Sequence, residues 1–425
     1  MTHPAGTPGT PDSRLPTPGA DVAEDPAAAV AWVAQNLGHL ALEGAAGVRA
    51  SGAFRGGQDA ADTTLALLDV TGYATRRSQV LPEPARGASR MSPYVRHGLL
   101  DLPTLWRHVA DAPARDRTKY RDELLWQEYA RHVYARVGTA MRSPLRYEPP
   151  AAGPWEGEPW PDRMLCVSTV TDELHADGWL VNQTRMWLAS QWTVRAGRDW
   201  REGEDELYRH LLDGSRAANR LGWQWTVGAG TGKPYGFSRW QVRKRAPGLC
   251  ERCPLRDACP IEDWPQERAG TRVALEPDGL RAGAAVALAG PVQVEGEGDP
   301  QAVWLTFESM GDLDPAVAAH PDLPVVAVFD EPLLARLRLS GKRLVFLTET
   351  LASLAGRRDV EVHLGRPVDV LAGRRAAVTH APVPGFARRA RAVAPVLTHP
   401  WPWLVRPRGG PAQSFSAWRK ATSGR

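Results

Sequence analysis

The chain has 425 residues, a formal net charge of only +4 and a pI near 9.0. Hydrophobic residues make up 43% of it, yet no apolar run approaches the roughly 20 residues of a membrane-spanning helix. A membrane-spanning helix is therefore not expected, and two or three domains with real cores are.

Residues 1–26 are rich in Pro, Gly and Thr and carry no apolar segment. They read as a disordered tail, not a signal peptide, and a cytoplasmic chain is expected. Residues 27–44 are Ala- and Leu-rich and helical in pattern, and a second helix starts near Asp59. Tyr73, Arg76 and Arg77 follow. Ser89 and Ser92 then flank a turn before Pro93, a place where a helix start can bind phosphate and where serines equally serve as caps. Residues 123–137 form an amphipathic helix with Leu124, Leu125, Tyr129, Val133 and Val137 on one stripe. A Pro-rich loop over 142–163 holds Tyr147, Trp155 and Trp160.

The stretch 178–240 is rich in tryptophan. Tryptophan is a costly core filler, because each indole N–H wants a partner. The pattern predicts helices over 180–194, over 202–212 and from Ser215 to about residue 226, the last closed by Gly228. Asn182, Arg185 and Met186 are spaced three and four apart and share a face. Arg185 and Asp213 suit a buried ion pair beside a planar ligand. The run of Arg239, Gln241, Arg243, Lys244 and Arg245 offers phosphate contacts.

Three of the four cysteines, Cys250, Cys253 and Cys259, form C-x2-C-x5-C, with Cys166 far upstream. Four such thiolates suit a zinc ion or a [4Fe–4S] cluster equally. Residues 271–300 are Gly- and Ala-rich and read as a linker. Beyond them, short apolar runs at 303–307, 325–329, 360–364, 376–380 and 395–398 alternate with helical patterns at 342–355 and 386–393. That alternation implies a parallel sheet.

The central stretch resembles the photolyase/cryptochrome family. The run GW-x-x-N-x-x-RM…DWREG…DG-x-x-AAN-x-x-GWQW stands here as Gly178-Trp179, Asn182, Arg185-Met186, Asp199 to Gly203, Asp213-Gly214, Ala217-Ala218-Asn219 and Gly222 to Trp225. Val181, Gln183 and Ser215 depart from the usual pattern. The resemblance implies that Asn182, Arg185, Asp213 and Asn219 surround the isoalloxazine ring of FAD, with Asn219 facing its reactive nitrogen. It implies that Trp223 and Trp200 are the first steps of an electron-hopping chain. Tyr73, Ser89, Met91 and Ser92 would contact the FAD phosphates and ribityl chain. Trp126 would flank the flavin, and Glu128 would line the substrate cavity. Arg76, Gln183, Met186, Arg239 and Arg243 would meet DNA. One cysteine before the flavin core and three after it is similar to the iron–sulfur bacterial branch, which implies a 4Fe-4S cluster on Cys166, Cys250, Cys253 and Cys259.

The last third resembles the antenna domain of the same family, which normally comes first, and the segment QSFSAWRKA resembles the one that closes that domain. The expected fold is thus an all-helical FAD-binding domain over 27–270, a linker over 271–300, and a smaller parallel-sheet α/β antenna-like domain over 301–425, apparently permuted, with an antenna chromophore possible. The expected function is that of a monomeric, FAD-dependent DNA photolyase acting on pyrimidine dimers in damaged DNA. The alternatives are a cryptochrome-like blue-light photoreceptor without repair, and a structural iron–sulfur binder of nucleic acid that has lost its flavin.

Overall fold

A computed structural model describes residues 13–149, 155–265 and 278–422, together with the backbone of 271–272. Among the described residues, no helix is long and apolar enough to cross a membrane. The chain opens with β1 (Arg14–Leu15), α1 (Ala20–Glu24) and α2 (Pro26–Asn36). Asp25 starts α2 by accepting the Ala27 N–H at 2.8 Å, with Pro26 at the first helical position. Residues 13–26 are therefore ordered structure where a disordered tail was expected, while 1–12 lie outside the described residues.

The helical region follows as α3 (Gln58–Ala66), α4 (Tyr73–Arg76), α5 (Ser92–Arg96), α6 (Leu102–His108) and the long α7 (Ala114–Val137). After β2 (Tyr147–Glu148) come α8 (Leu165–Asp177), α9 (Asn182–Ser190), α10 (Trp200–His210), α11 (Arg216–Thr226) and α12 (Arg239–Arg245). Local chemistry sets their ends. Asp199 caps α10 through the Arg201 N–H at 2.9 Å, and Arg209 and His210 occupy its last turn, where the helix dipole favours cations. Ser238 and Gln241 form a capping box on α12. A short π-helical turn, Gln191–Arg195, extends α9.

The strand β3 (Thr271–Arg272) pairs with β2. The rest of the chain builds one sheet from β4 (Glu295–Gly296), β5 (Ala302–Leu305), β6 (Val325–Asp330), β7 (Val360–Gly365), β8 (Ala376–Thr379) and β9 (Leu397–His399). Its order is β1-β7-β6-β5-β8-β9-β4. The five inner strands are parallel, and the two-residue strands β1 and β4 close the edges antiparallel. Every residue of β5 and β8 is buried, as a parallel sheet covered on both faces requires. The helices α13 (Pro315–Ala319), α14 (Glu331–Leu337), α15 (Gly341–Ala355), α16 (Pro367–Val370) and α17 (Phe386–Val393) supply the cover, and α18 (Phe415–Thr422) ends the chain.

The expected domain limits need correction at both ends. Val22 of α1, Ala29 and Val33 of α2, and Leu37 just after it pack with Val303, Ala327 and Leu351 in the core of the sheet region. At the other end, Trp418 of α18 packs with Tyr129 and Val133 of α7. The expected linker also does structural work, since Leu280 is buried against α7 and β4 pairs with β9. The helix α15 is buried almost throughout. Its Leu344, Leu347 and Leu351 face the sheet core, whereas Phe346 joins the helical core beside Tyr94 and Trp179. Glu349 accepts from Arg55 Nε and from the Gly56 N–H, both at 2.7 Å. The two regions are thus joined through a shared helix and exchanged termini.

Candidate cofactor site in the helical region

The backbone brings Arg185 to Asp213 by a direct tie. The Leu212 N–H donates to Gly178 O at 2.7 Å, so the loop entering α9 lies beside the loop entering α11. Arg185 then grips Asp213 with two parallel bonds, Nη1 to Oδ1 at 3.0 Å and Nη2 to Oδ2 at 2.7 Å. Its Nε donates to Leu180 O at 3.0 Å. The Asp213 side chain is 4% exposed and that of Arg185 23%. A bidentate, charge-assisted pair of this kind is rigid as well as strong. Around it the surface stays open. Asn182 is exposed, and Met186, Ser215, Ala218 and Asn219 are only half-buried. A methyl group built on Gly222 would meet no atom within 4 Å. These residues form a solvent-reachable strip on α9 and α11, with planar polar groups fit for a flat, hydrogen-bonding ring.

The second expected half of the site abuts the first. Tyr73, Met91, Trp179, Val181 and Leu212 share one core cluster. Tyr73 packs edge-on against Tyr120, ring centroids 5.1 Å apart. Burial raises both phenol pKa values, that of Tyr120 to about 12. Ser89 and Ser92 are half-buried. Ser92 Oγ accepts the Trp179 indole N–H at 3.0 Å, so one expected phosphate ligand already has a donor.

Three expected contacts fall elsewhere. Asn219 donates through Nδ2 to Glu204 O at 3.2 Å and to Glu204 Oε1 at 3.1 Å. Glu204 is 2% exposed and also receives Arg216 at 2.7 Å and Arg220 at 3.3 Å. A buried carboxylate needs such partners, and it competes for the amide expected to face a ring nitrogen. Trp126 stacks on Phe415 of α18. Glu128, expected to line a cavity, is fully buried. Its Oε1 accepts the Val405 N–H at 2.8 Å, and Arg131 stands 3.9 Å from Oε2. Burial outweighs both and pushes its carboxyl up to about 7. The segment after β9 covers this face of α7: Tyr129 donates to Ala412 O at 2.9 Å, and the Trp418 indole donates to His132 Nδ1 at 2.9 Å.

Trp223 and Trp200 are both buried, and among the described residues neither indole N–H has an acceptor. Trp192 and Trp160 are half-buried neighbours, ring centroids 4.8 Å apart.

The four cysteines line one partly open pocket, together with Arg239, Val242, Leu249 and Ile261. Burial raises the Cys166, Cys250 and Cys259 thiols. Among the described residues no group of three or more Cys, His, Asp or Glu is placed to hold a single metal ion. Four thiols around one pocket are the soft ligand set that either a tetrahedral zinc or an iron–sulfur cluster takes.

Residues 120–244 match the family described as the FAD binding domain of DNA photolyase. The chain resembles the Deoxyribodipyrimidine photo-lyase of Thermus thermophilus, 35% identical over 171 residues, which is 37% of this chain and 39% of that one. It also resembles that of Synechococcus sp., 28% identical over 165 residues, or 34% and 33% of the two chains. These matches support the photolyase/cryptochrome family. They also support FAD as the cofactor of the helical region. The matched stretch spans about a third of the length of these relatives. A solved Synechocystis sp. PCC6803 cryptochrome aligns at 21% identity over 47% of this chain and 45% of that one, with a TM-score of 0.40.

The residues expected at a photolyase-type DNA face differ in exposure. Arg76 is exposed, its Nη2 donating to Thr71 O at 2.6 Å. Gln183 is 8% exposed and donates to Tyr235 Oη at 3.0 Å, so it is withdrawn from solvent. Arg239 is tied to Glu262 at 2.5 Å and to Arg256 O at 2.8 Å. Arg243 is exposed, with Glu251 at 3.6 Å. Arg96 is turned inward to Glu308 at 3.2 Å and Gly214 O at 2.7 Å. Residues missed in the sequence include Glu204, hidden in an acidic helix start that reads as solvated, and Phe415, whose partner lies far away in the chain. Trp192 was within the tryptophan-rich stretch and matched no part of the family pattern.

Proposed function

We propose that this chain is an FAD-dependent, photolyase-like protein that uses light to drive electron transfer from reduced flavin to a pyrimidine dimer in DNA. The observation that carries this reading is the bidentate Arg185–Asp213 pair beside the open strip on α9 and α11, inside the segment matched to the photolyase FAD binding domain. When bound, reduced FAD supplies the photoexcited electron. In this reading Arg185 and Asp213 fix the ring edge, and Asn182 and Met186 line its open side. Asn219 reaches the ring after exchanging its Glu204 contact. Tyr73, Ser89, Met91 and Ser92 hold the phosphate and ribityl end. Arg76 and Arg243, both exposed, contribute positive charge toward the DNA backbone. Cys166, Cys250, Cys253 and Cys259 hold a [4Fe–4S] cluster. The sheet region is an antenna-like domain displaced to a position behind the helical one.

One observation favours the photoreceptor reading instead. Glu128, expected to line the substrate cavity, is fully buried and accepts the Val405 N–H of the segment that covers this face of α7. Blue light on the reduced, flavin-loaded protein with an ultraviolet-damaged oligonucleotide separates the two. Light-dependent loss of dimers is expected. Intact flavin photoreduction without dimer loss would assign the sensor.

A further inference from the structure

We propose that Tyr208 is an ionised phenolate in the folded protein and that, through Arg96 and Arg343, it positions the Asp213–Gly214 turn that holds Arg185. The link from that turn to a flavin rests on the FAD reading above; the phenolate itself does not.

Tyr208 lies on α10 and is buried. Guanidinium groups from three other helices surround it. That of Arg216 on α11 lies 3.8 Å from the ring centroid, and that of Arg343 on α15 lies 4.7 Å from it. Arg96 on α5 and Arg343 both donate to the phenol group. Arg216 is answered by Glu204 at 2.7 Å and Asp205 at 2.5 Å, and Arg96 by Glu308 at 3.2 Å. Lys342, next to Arg343, faces Glu43 and Asp177. Arg343 is 4% exposed, and no carboxylate answers it among the described residues. Its Nη1 donates to Tyr208 O, its Nη2 to Gly214 O at 3.4 Å, and its Nε has no partner there. A buried cation without a counter-charge is costly, and the acidic group beside this one is the Tyr208 phenol. Burial by itself raises that phenol. Arg343, Arg96 and Arg216 together outweigh burial and Glu308, and hold it below its ordinary value. His97, also beside Arg96 and Arg343, is pushed down to about 3 by burial and those cations, so it stays uncharged.

The same two cations reach the cofactor strip. Arg96 Nε donates to Gly214 O at 2.7 Å, so Arg96 and Arg343 meet on the carbonyl that follows Asp213. A Cβ on Gly214 would fall 2.9 Å from Arg343 Nη1 and 3.1 Å from Tyr208 O. The glycine therefore leaves room for the guanidinium. Glu308 and Arg343 come from the sheet region, so the phenolate couples both regions to Asp213. Protonating Tyr208 leaves Arg96 and Arg343 to repel each other, and their grip on Gly214 O loosens. The folded value lies below the unfolded one of about 10. The phenolate's contribution is thus lost as pH falls through the folded value and grows as pH rises toward the unfolded one.

The first test needs no flavin. The ultraviolet difference spectrum of flavin-free wild type minus Tyr208→Phe should show one phenolate at about pH 8, and the band should vanish in acid while the chain is still folded. Burial raises the phenols of Tyr73, Tyr120 and Tyr129, so they stay silent there. If the variant does not fold, the pH titration of the wild-type band decides the same point. Arg343→Met should remove the band. The second test is flavin affinity. Tyr208→Phe keeps the ring and its cation contacts, yet its Kd for FAD should exceed that of the wild type about tenfold at about pH 8, with the ratio approaching one in acid. No phenolate band at about pH 8 in folded wild type would overturn the proposal and leave the FAD reading intact. A band with equal flavin affinity in both proteins would overturn the positioning role. A band in a chain that binds no flavin would overturn the FAD reading and the positioning role, and leave the phenolate standing.

Discussion

Trp126 lies face to face on Phe415, with ring centroids 4.0 Å apart and planes 13° from parallel. The pair joins α7 to the end of the chain across 289 positions of sequence. Tyr129 and Trp418 extend the contact on either side. Removing the Phe415 ring deletes a stacked aromatic partner and opens a gap in a partly buried cluster. Phe415→Ala should therefore cost about 2–3 kcal/mol, below the full range for a wholly buried ring. Urea unfolding would register it as a lower midpoint at unchanged slope. A change within 0.5 kcal/mol, the scale of an ordinary surface substitution, would mean that α18 does not clasp α7 in solution.

The Arg185–Asp213 pair makes a sharper claim, because the two charges are nearly enclosed. Asp213→Asn leaves the guanidinium without its counter-charge, and breaking a buried pair by one partner costs about 3–5 kcal/mol. Arg185 is partly exposed, so solvent screening places the expected loss below that range, about 2–3 kcal/mol. Flavin retention through gel filtration should fall with it. Arg185→Met combined with Asp213→Asn should regain part of the stability and none of the flavin. That split separates a structural pair from one that also positions a ring.

Glu128 sets a pH dependence. Its folded-state pKa is near 7 because burial disfavours the charged form. The unfolded value is about 4.3, so the folded chain binds the extra proton between these limits. Its contribution is fully present below the unfolded pKa and is lost as pH rises toward 7. Glu128→Gln removes the titration. Between pH 5 and pH 8 the wild type should lose on the order of 3 kcal/mol relative to the variant. Denaturant midpoints for both proteins at the two pH values give the difference directly. Parallel curves would show that Glu128 is solvated or ionised throughout.

What the sequence made legible was local. The helices α9, α10 and α11 follow from caps and apolar spacing, and the sheet strands follow from short apolar runs bounded by turns. Arg185 and Asp213 were expected together and do meet. The missed features depend on distant partners. Arg14 pairs with His363 at the sheet edge, and nothing in a Pro-rich opening announces a strand of two residues. The helical pattern of residues 27–44 leads to α2, which ends at Asn36, but only packing reveals that the sheet region, not the helical one, owns that helix. Asn219 and Glu204 lie 15 residues apart on successive helices, a separation at which no helical spacing rule applies. The covering of Trp126 and Glu128 likewise comes from chain folded back from beyond the sheet.

The cysteine pocket carries the last prediction. Cys166 comes from α8, and the other three come from the turn after α12, so the site clamps two parts of the helical region. Thiols whose pKa values burial has raised hold their protons at neutral pH, and metal must displace those protons to bind. Binding should therefore weaken as pH falls and should stabilise the fold when complete. Protein purified without oxygen should hold iron and acid-labile sulfide in near-equal amounts, about four of each for a [4Fe–4S] cluster. Cys250→Ser should abolish both and lower the thermal midpoint by several degrees, while leaving the Arg185–Asp213 pair in place. Bound flavin in that variant should stay near the wild-type level. Zinc at about one per chain with no sulfide would instead identify a structural zinc site, with the sulfurs drawn inward from their positions here. Neither metal nor sulfide in anaerobic protein, with the fold intact, would reduce the four thiols to packing residues.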